Sequence, residues 1–572
     1  MKELNNMIPL LFLAAFLCCS LLPKDEIDYA FEYREIYLPE RNTSIADALC
    51  LNNIDNDWAL WGHHLSAVLP VKHSQTVYAT VDNILSRDQF CFSSARLYDY
   101  IVEYIEDNYG ESQTSRFAIL PNDNNLVCMC PECRNLGNTA NDASPAVFYM
   151  IKRLAERFPA HRFFTSYYRS TRSTPSEKLP DNVGVLISTM RYHISPVETS
   201  REIEFKDLLH SWSNKTNLVY VWDYINNFDD YFTPYPVFTI MQRRIRLYRD
   251  AGVKGLFLNG SGLDYSSFSD VKTRVLAALM QDPDVDWRKV LQDVCHQLYP
   301  TTGDVVAHFL TAQEDYVLSQ ARVLPIYDGV NTSLSTYLPK ELFVNFFDSL
   351  QHMLPNTRSS EHTLVERQCK ALALTRLEIM RIDGDVSRSK PLLDSFASLI
   401  DDGIDVYSES CWTIKDYVSD YSYMYRHAES MKAKNLLRGV ELTPLTPLDE
   451  DYSDISVLTD GLLGLPSNYH CGNMLSSADP ALKISIPYQD GMQHLRVCLV
   501  QNSLYHILLP SKVSMNIGGN DVASVVPELL REHQGHAFAE FDIPANARGP
   551  IVLTLFRDTD DRCMAIDEIE GY

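Results

Sequence analysis

Two aspartates stand where apolar runs give way to polar turns: Asp123 in Asn122-Asp123-Asn124, and Asp223 in Trp222-Asp223-Tyr224. Two carboxyl groups facing each other across a bond can hydrolyse a glycosidic linkage. One protonates the departing oxygen while the other attacks or activates water. Trp222 and Tyr224 would wall Asp223 with apolar surface, which raises a carboxyl pKa and suits a general acid. Asp123, in a polar setting, would stay ionised as nucleophile or base. Both positions also suit ordinary helix N-caps.

Other residue types at such places suit ligand binding. Arg34 and Arg191 could grip a carboxylate through paired hydrogen bonds, and Glu35 beside Arg34 is a third carboxyl candidate or an ion-pair partner. His63, His64, Tyr168 and Asn259 follow apolar runs and offer polar contacts to sugar hydroxyls, while Trp61 and Trp222 offer faces for a sugar ring. Adjacent histidines point in different directions, which argues against a metal at His63-His64. Cys91, Cys128, Cys130 and Cys133 form a separate set. Four thiols can close a structural zinc site or form two disulfides, and either would stiffen the loop carrying Asp123. The hydrolytic chemistry itself requires no cofactor.

These residues need a scaffold that gathers strand ends. Strand-like runs at 32–38, 58–60, 117–120, 163–168, 183–187, 218–221 and 253–258 alternate with helical spacing, clearest over Arg96–Asn108, 145–158 and 236–251. Repeated alternation predicts parallel strands with right-handed crossovers, and apolar runs without strict alternation predict strands buried on both faces. Polar residues crowd the C-terminal ends of these runs, the active face of a (β/α) barrel. The fold class expected is therefore α/β: a TIM-type barrel over 28–300 with seven strands placed, a helical region over 301–438, a Pro-rich acidic linker over 439–451, and an antiparallel β-sandwich over 452–572. The sandwich strands are expected at 482–486, 494–500, 505–508, 537–541 and 551–556.

At 572 residues the chain exceeds a single core. A net charge of −25 without a basic cluster argues against nucleic-acid partners and anionic membrane surfaces. Residues 1–19 read as a signal peptide: Lys2, an apolar run from Ile8 to Leu17, then Cys18-Cys19. Cysteine directly after such a run resembles a lipobox, with Cys19 the lipidated residue. The expected location is outside the cytoplasm, as a lipoprotein of the outer membrane at the surface or in the periplasm, touching the membrane only through its lipid.

Several phrases together resemble a known family: Tyr33-Arg34-Glu35, Trp61-Gly62-His63-His64, Gln89-Phe90-Cys91, the Asn122 to Cys133 stretch, Val221-Trp222-Asp223-Tyr224, and Gly252-Val253-Lys254-Gly255 followed by Asp282 to Asp286. In order and spacing they look like the barrel region of the domain of unknown function 4838 family, over 28–299. The resemblance implies a glycosidase-like barrel and a glycan or oligosaccharide partner, without naming a sugar. Family members usually carry an α/β domain before the barrel, and many have Gln or Glu where Asn259 stands. Tyr167-Tyr168-Arg169 replaces the Asp-Glu pair of substrate-assisted hexosaminidases. Leu458-Thr459-Asp460-Gly461 and Ala565-Ile566-Asp567-Glu568-Ile569 are similar to galactose-binding-like sandwiches. The reading is a glycoside-hydrolase-like protein acting on a complex or acidic glycan. The alternatives are a non-catalytic glycan-binding surface lipoprotein and a structural surface protein.

Overall fold

A computed structural model of the protein describes residues 29–572 apart from 112–113, 193, 450–451, 472–474, 478, 530–534, 546, 548 and 559–562. The expected signal peptide and Cys19 lie outside the described residues. Among the described residues no helix is long and apolar enough to cross a membrane. The chain forms two compact units: residues up to Asn226 with Tyr235–Ile326, and Asn227–Pro234 with Tyr327–Tyr572.

The first unit is built on six parallel strands in the order β1-β8-β7-β6-β5-β4. They are β1 (Tyr33–Tyr37), β4 (Arg116–Ala118), β5 (Arg162–Tyr167), β6 (Val183–Ser188), β7 (Val219–Tyr224) and β8 (Gly255–Asn259). The sequence between β1 and β4 also forms a hairpin, β2 (Tyr78–Val81) and β3 (Ile84–Phe90), with Asp82 and Asn83 both at positive φ. That pair is the signature of a tight two-residue hairpin turn, and it is the local signal by which the hairpin could have been read. The helix Ser200–Ser213 lies outside the expected elements: its buried face, Glu202, Phe205, Leu209 and Trp212, repeats every three to four residues, but one of these is charged and apolar residues also stand off that face, so the hydrophobic contrast along the sequence is weak.

Among the described residues the sheet curls as a half-barrel of six parallel strands. The run 58–60, expected as a strand, contributes a single parallel bridge, Leu60 to Phe117. The reason is chemical. After β1 the chain carries Asn52, Asn53 and Asp57, and their side chains do what a ladder would do. Asn52 Oδ1 accepts from the Arg34 N–H at 2.9 Å, and its own N–H reaches the Arg34 carbonyl at 2.7 Å. Asn53 caps the one-turn helix Ile54–Asp57.

Period-two alternation sorts the side chains. Tyr33, Phe164, Leu186, Tyr220 and Phe257 point to the concave side and form one aromatic core with Trp58. Tyr33 stacks on Tyr220 at 5.6 Å, and Phe164 meets Tyr220 at 4.7 Å between ring centroids. Gly184 and Gly255 leave room for these rings: a Cβ at Gly255 would come within 2.5 Å of the Tyr220 ring. The opposite faces pack under helices including Ala95–Asn108, Ser144–Arg157, Ser200–Ser213 and Phe238–Asp250. The helices Ser269–Gln281, Trp287–Leu298 and Gly303–Gln320 complete this unit.

The second unit holds the helices Lys340–Met353, Ser359–Ile382 and Ile414–Met431 and two antiparallel sheets over one apolar core. One sheet runs β10-β17-β12-β15 and the other β14-β13-β16-β11-β9, with β9 (Thr443–Pro444), β10 (Leu475–Ser477), β11 (Ala481–Ile486), β12 (His494–Val500), β13 (Lys512–Ile517), β14 (Asn520–Val525), β15 (His536–Asp542), β16 (Ile551–Phe556) and β17 (Met564–Gly571). Strand β9 arises inside the segment 439–451. Of residues 505–508, expected as a strand, Tyr505 ends a 3-10 turn, His506 stands at φ 58°, and Ile507 makes single bridges to Asn502 and Cys563. The acidic end of the chain acts as a clasp: Asp567 accepts from the Gly464 N–H at 2.8 Å and Glu568 from the Gly461 N–H at 3.1 Å.

Candidate active site at the strand ends of the first unit

At the C-terminal ends of the parallel strands the aromatic core surfaces as three half-buried rings, Tyr37, Trp61 and Trp222. Trp222 lies 4.1 Å from Phe257, and Tyr37 lies 6.4 Å from Trp61, between ring centroids. Asn259 sits level with them, in register with Tyr37 on one side and Tyr224 on the other. A polar arc borders the rings. Arg169 pairs with Asp123 at 2.6 Å and donates to the Tyr168 hydroxyl at 2.9 Å. The Tyr168 ring lies 6.0 Å from His63, whose Nδ1 is 2.5 Å from the Pro121 carbonyl. Tyr224, pointing the same way as Trp222, bonds Ser188 at 3.0 Å. The structure thus brings Trp61, His63, Tyr168, Trp222, Asn259 and Asp123 to one end of the sheet. Of the other two ring-loop candidates, His64 is exposed against Trp61 and Arg191 is exposed.

Three of the expected residues sit elsewhere. Asp223 is one step out of phase with Trp222 and Tyr224, so it points to the helix side. It is 0% exposed, and its carboxylate accepts from Thr189 at 2.6 Å, Arg244 at 2.6 Å, Tyr248 at 2.5 Å and the Tyr224 N–H at 2.9 Å. Its sequence neighbours do not wall it, because adjacent strand residues face opposite ways. A carboxylate so enclosed reaches no ligand at the strand ends; its geometry is that of a positioning ion pair between β7 and the helix Phe238–Asp250. Arg34 is likewise on the outer side, buried, with its guanidinium on the Cys50 carbonyl at 2.7 Å and over the Tyr29 ring. Glu35 points inward but lies at the bottom of the rings, fully buried, taking hydrogen bonds from the Tyr33 hydroxyl and from Arg41 at 3.4 Å. Burial pushes its carboxyl up to about 7, and the Tyr33 and Arg41 contacts only partly oppose this.

Four residues at this end were not singled out by the sequence reading. Tyr37 ends β1 and Tyr224 ends β7, and strand-end position alone could have marked both. Arg169 sits in the left-handed region at φ 46°. That conformation costs an arginine about 1 kcal/mol or more and persists only where the surroundings hold it. Asp264 follows the turn after β8, where Gly262 at φ 67° packs against Tyr37. Asp264 is exposed as a residue, yet partial burial of its carboxyl raises its pKa above the ordinary value. Sequence gave no period to it, since it lies in a loop.

Cys91, Cys128, Cys130 and Cys133 converge beside this end, their sulfurs within 4.8 Å of one another. The second unit has a cavity of its own, about 430 Å³, lined among others by Tyr327, Arg381, Asp460, Tyr469 and His470. Burial raises the Asp460 carboxyl to about 7, and His470 pairs with Asp229 at 2.7 Å.

The half-buried rings and polar arc stand at the C-terminal strand ends of a parallel half-barrel, the end at which open parallel α/β sheets commonly bind ligands. The model of the family described as "Domain of unknown function (DUF4838)" matches residues 28–311, and this region belongs to that family. No curated protein matches the chain by sequence. Among solved structures, the chain is similar to a family GH115 4-O-methyl-alpha-glucuronidase with specificity for decorated arabinogalactans, at 10% identity over 83% of this chain and TM-score 0.36. It spans 66% of that enzyme's length. It is also similar to a GH138 enzyme targeting pectin rhamnogalacturonan II, at 8% identity over 83% of this chain and 77% of that one, TM-score 0.28. A Streptococcus pneumoniae fucose binding module matches 24% of this chain over 97% of its own, at 12% identity and TM-score 0.19.

Proposed function

We propose that the first unit is a glycoside-hydrolase-like module that binds an oligosaccharide over Tyr37, Trp61 and Trp222 and acts on it with rim carboxyls. The observation that carries this reading is the half-buried ring wall beside a polar arc. Stacked C–H faces of a sugar suit the rings, and Asp123, Arg169, Tyr168 and His63 suit its hydroxyls. Asp264, whose carboxyl is held above its ordinary pKa, is the proton donor in this proposal, and Asp123, held in the ion pair with Arg169, is the base. Asp223 has a positioning role. Export and lipidation at Cys19 belong to the same proposal, and a glycan outside the cytoplasm is the partner.

Product release from a broad glycan panel tests it, with Trp61→Ala and Asp264→Asn beside the wild type. Trp61→Ala should weaken sugar binding about tenfold, roughly 1.4 kcal/mol. Asp264→Asn should lower turnover at least 100-fold with binding retained. Turnover untouched by either change sinks the site. A second reading, binding without hydrolysis, is favoured by the enclosure of Asp223, which removes one carboxyl from the face. Sugar binding without product from any panel member would put it first.

A further inference from the structure

We propose that Cys91, Cys128, Cys130 and Cys133 hold a structural zinc ion as four thiolates. This goes beyond the glycan reading and does not depend on it. The four residues come from two separate pieces of chain. Cys91 directly follows β3, the second strand of the hairpin, and the other three lie in the loop after β4 and the short helix Pro131–Leu136. Cys130 is the N-cap of that helix and Cys133 lies within it.

Their geometry is that of a tetrahedral shell. All four sulfurs lie within 4.8 Å of one another. Cys91 Sγ is 3.7 Å from Cys130 Sγ and 3.8 Å from Cys133 Sγ. Four sulfurs at about 2.3 Å from a zinc ion stand about 3.8 Å apart along each tetrahedral edge. Cys91 is thus as close to one partner as to another, a four-way cluster and not a set of two pairs. No disulfide joins any two of them in this structure.

The surroundings also suit thiolates. The Thr80 N–H donates to Cys128 Sγ at 3.3 Å, and the Cys133 N–H donates to Cys130 Sγ at 3.4 Å. The Ser93 hydroxyl lies 3.2 Å from Cys91, 3.5 Å from Cys130 and 3.1 Å from Cys133. The two N–H groups, and the single Ser93 O–H turned to one sulfur at a time, orient the ligand atoms and spread the charge that four thiolates and one divalent ion leave behind. Zinc entry displaces up to four thiol protons, so the site carries a net charge of about −2. An all-sulfur tetrahedral set selects zinc or iron, and four protein ligands leave no open position for substrate. The role is therefore structural.

What it stiffens is specific. The Met129 N–H bonds the Thr80 carbonyl at 2.7 Å. Gln89, two residues before Cys91, accepts from the Asn122 N–H at 2.9 Å and donates to Asn124 Oδ1 at 3.0 Å. The loop holding Asp123 is pinned to the hairpin at one end by Gln89 and at the other by the cysteine cluster.

The full-length protein, purified without chelator or added metal, is analysed for metal by mass spectrometry, and its thiols are counted in denaturant without reductant. About one zinc per chain is expected, with all four cysteines titrating as thiols in denaturant without reductant. Cobalt(II) added to the stripped protein should give the visible absorption of tetrahedral thiolate coordination. Cys130→Ser should retain zinc at least tenfold less well through dialysis against chelator. No zinc, with these four cysteines reactive only after reduction, would overturn the proposal in favour of disulfides. Iron at one per chain would overturn the assignment to zinc. The wild-type measurements decide the question even where Cys130→Ser fails to fold.

Discussion

At the scale of residues, two buried carboxyls lead to opposite expectations. Asp223 is held by Arg244, Tyr248 and Thr189 with no exposure. Asp223→Asn would strand the Arg244 charge in the interior, which typically costs 3–5 kcal/mol, so the urea midpoint of the variant should fall steeply. A variant with an unchanged midpoint and no turnover would return Asp223 to the chemistry. Glu35 has a carboxyl raised from its ordinary 4.5 to about 7 by burial. A raised carboxyl favours the folded state while protonated, so its contribution is complete below pH 4.5 and is lost as pH rises toward 7. The loss amounts to about 3 kcal/mol. Unfolding followed from pH 4.5 to 8 should show stability falling in the wild type and falling less in Glu35→Gln. Equal slopes in the two proteins would exclude Glu35 as the titrating group. Asp460, also raised to about 7, adds to both slopes alike.

At the scale of elements, the site depends on strands that lie close under large rings. Gly184 and Gly255 are placed where a Cβ would strike Phe164 and Tyr220 at 2.5 Å. These are core rings with no free end to swing away. Gly255→Ala should therefore cost about 1–3 kcal/mol by overpacking and lower the melting temperature. An unchanged melting temperature would mean that Tyr220 has space that the packing does not show. The same alternation explains the site. Tyr37, Trp222 and Tyr224 reach the strand ends because they are in phase with Tyr33 and Tyr220, and Asp223 and Arg34 miss it because they are out of phase. The polar loop Asn122 to Asn124 gains its order from Gln89 on the hairpin, a contact 33 residues away in sequence.

At the scale of the whole molecule, the segment Asn227–Pro234 continues from β7 yet belongs to the second compact unit. There the Tyr231 N–H bonds the Tyr407 carbonyl at 2.8 Å, Thr233 bonds Thr375 at 2.9 Å, and Asp229 pairs with His470 at 2.7 Å. Phe228, Tyr231 and Phe232 are buried in it. A fragment of residues 29–326 keeps this segment and loses its partners, exposing three aromatic rings and two buried aspartates. Its soluble yield and melting temperature should fall well below those of the full chain. A fragment that melts as the full chain does would show that the segment's packing is dispensable.

The alternation of strand and helix, the crowding of polar residues after apolar runs and the gathering of four cysteines in two stretches are all written in local order, and the parallel sheet followed from them. The boundaries of β1, β5, β6 and β8 came within about two residues. Local order does not say which face of a strand looks inward. A period of two relates neighbours to each other and leaves the absolute phase open, and the phase is settled only when Tyr220 and Trp222 join the rings of three other strands. Nor does local order say how a sheet's edge is paired, because that depends on distant partners: here the Asn52 side chain takes the Arg34 N–H of β1. Residue types and their spacing came from the sequence alone. Their facing, their enclosure and their partners came from the tertiary structure, because each depends on contacts between segments distant along the chain.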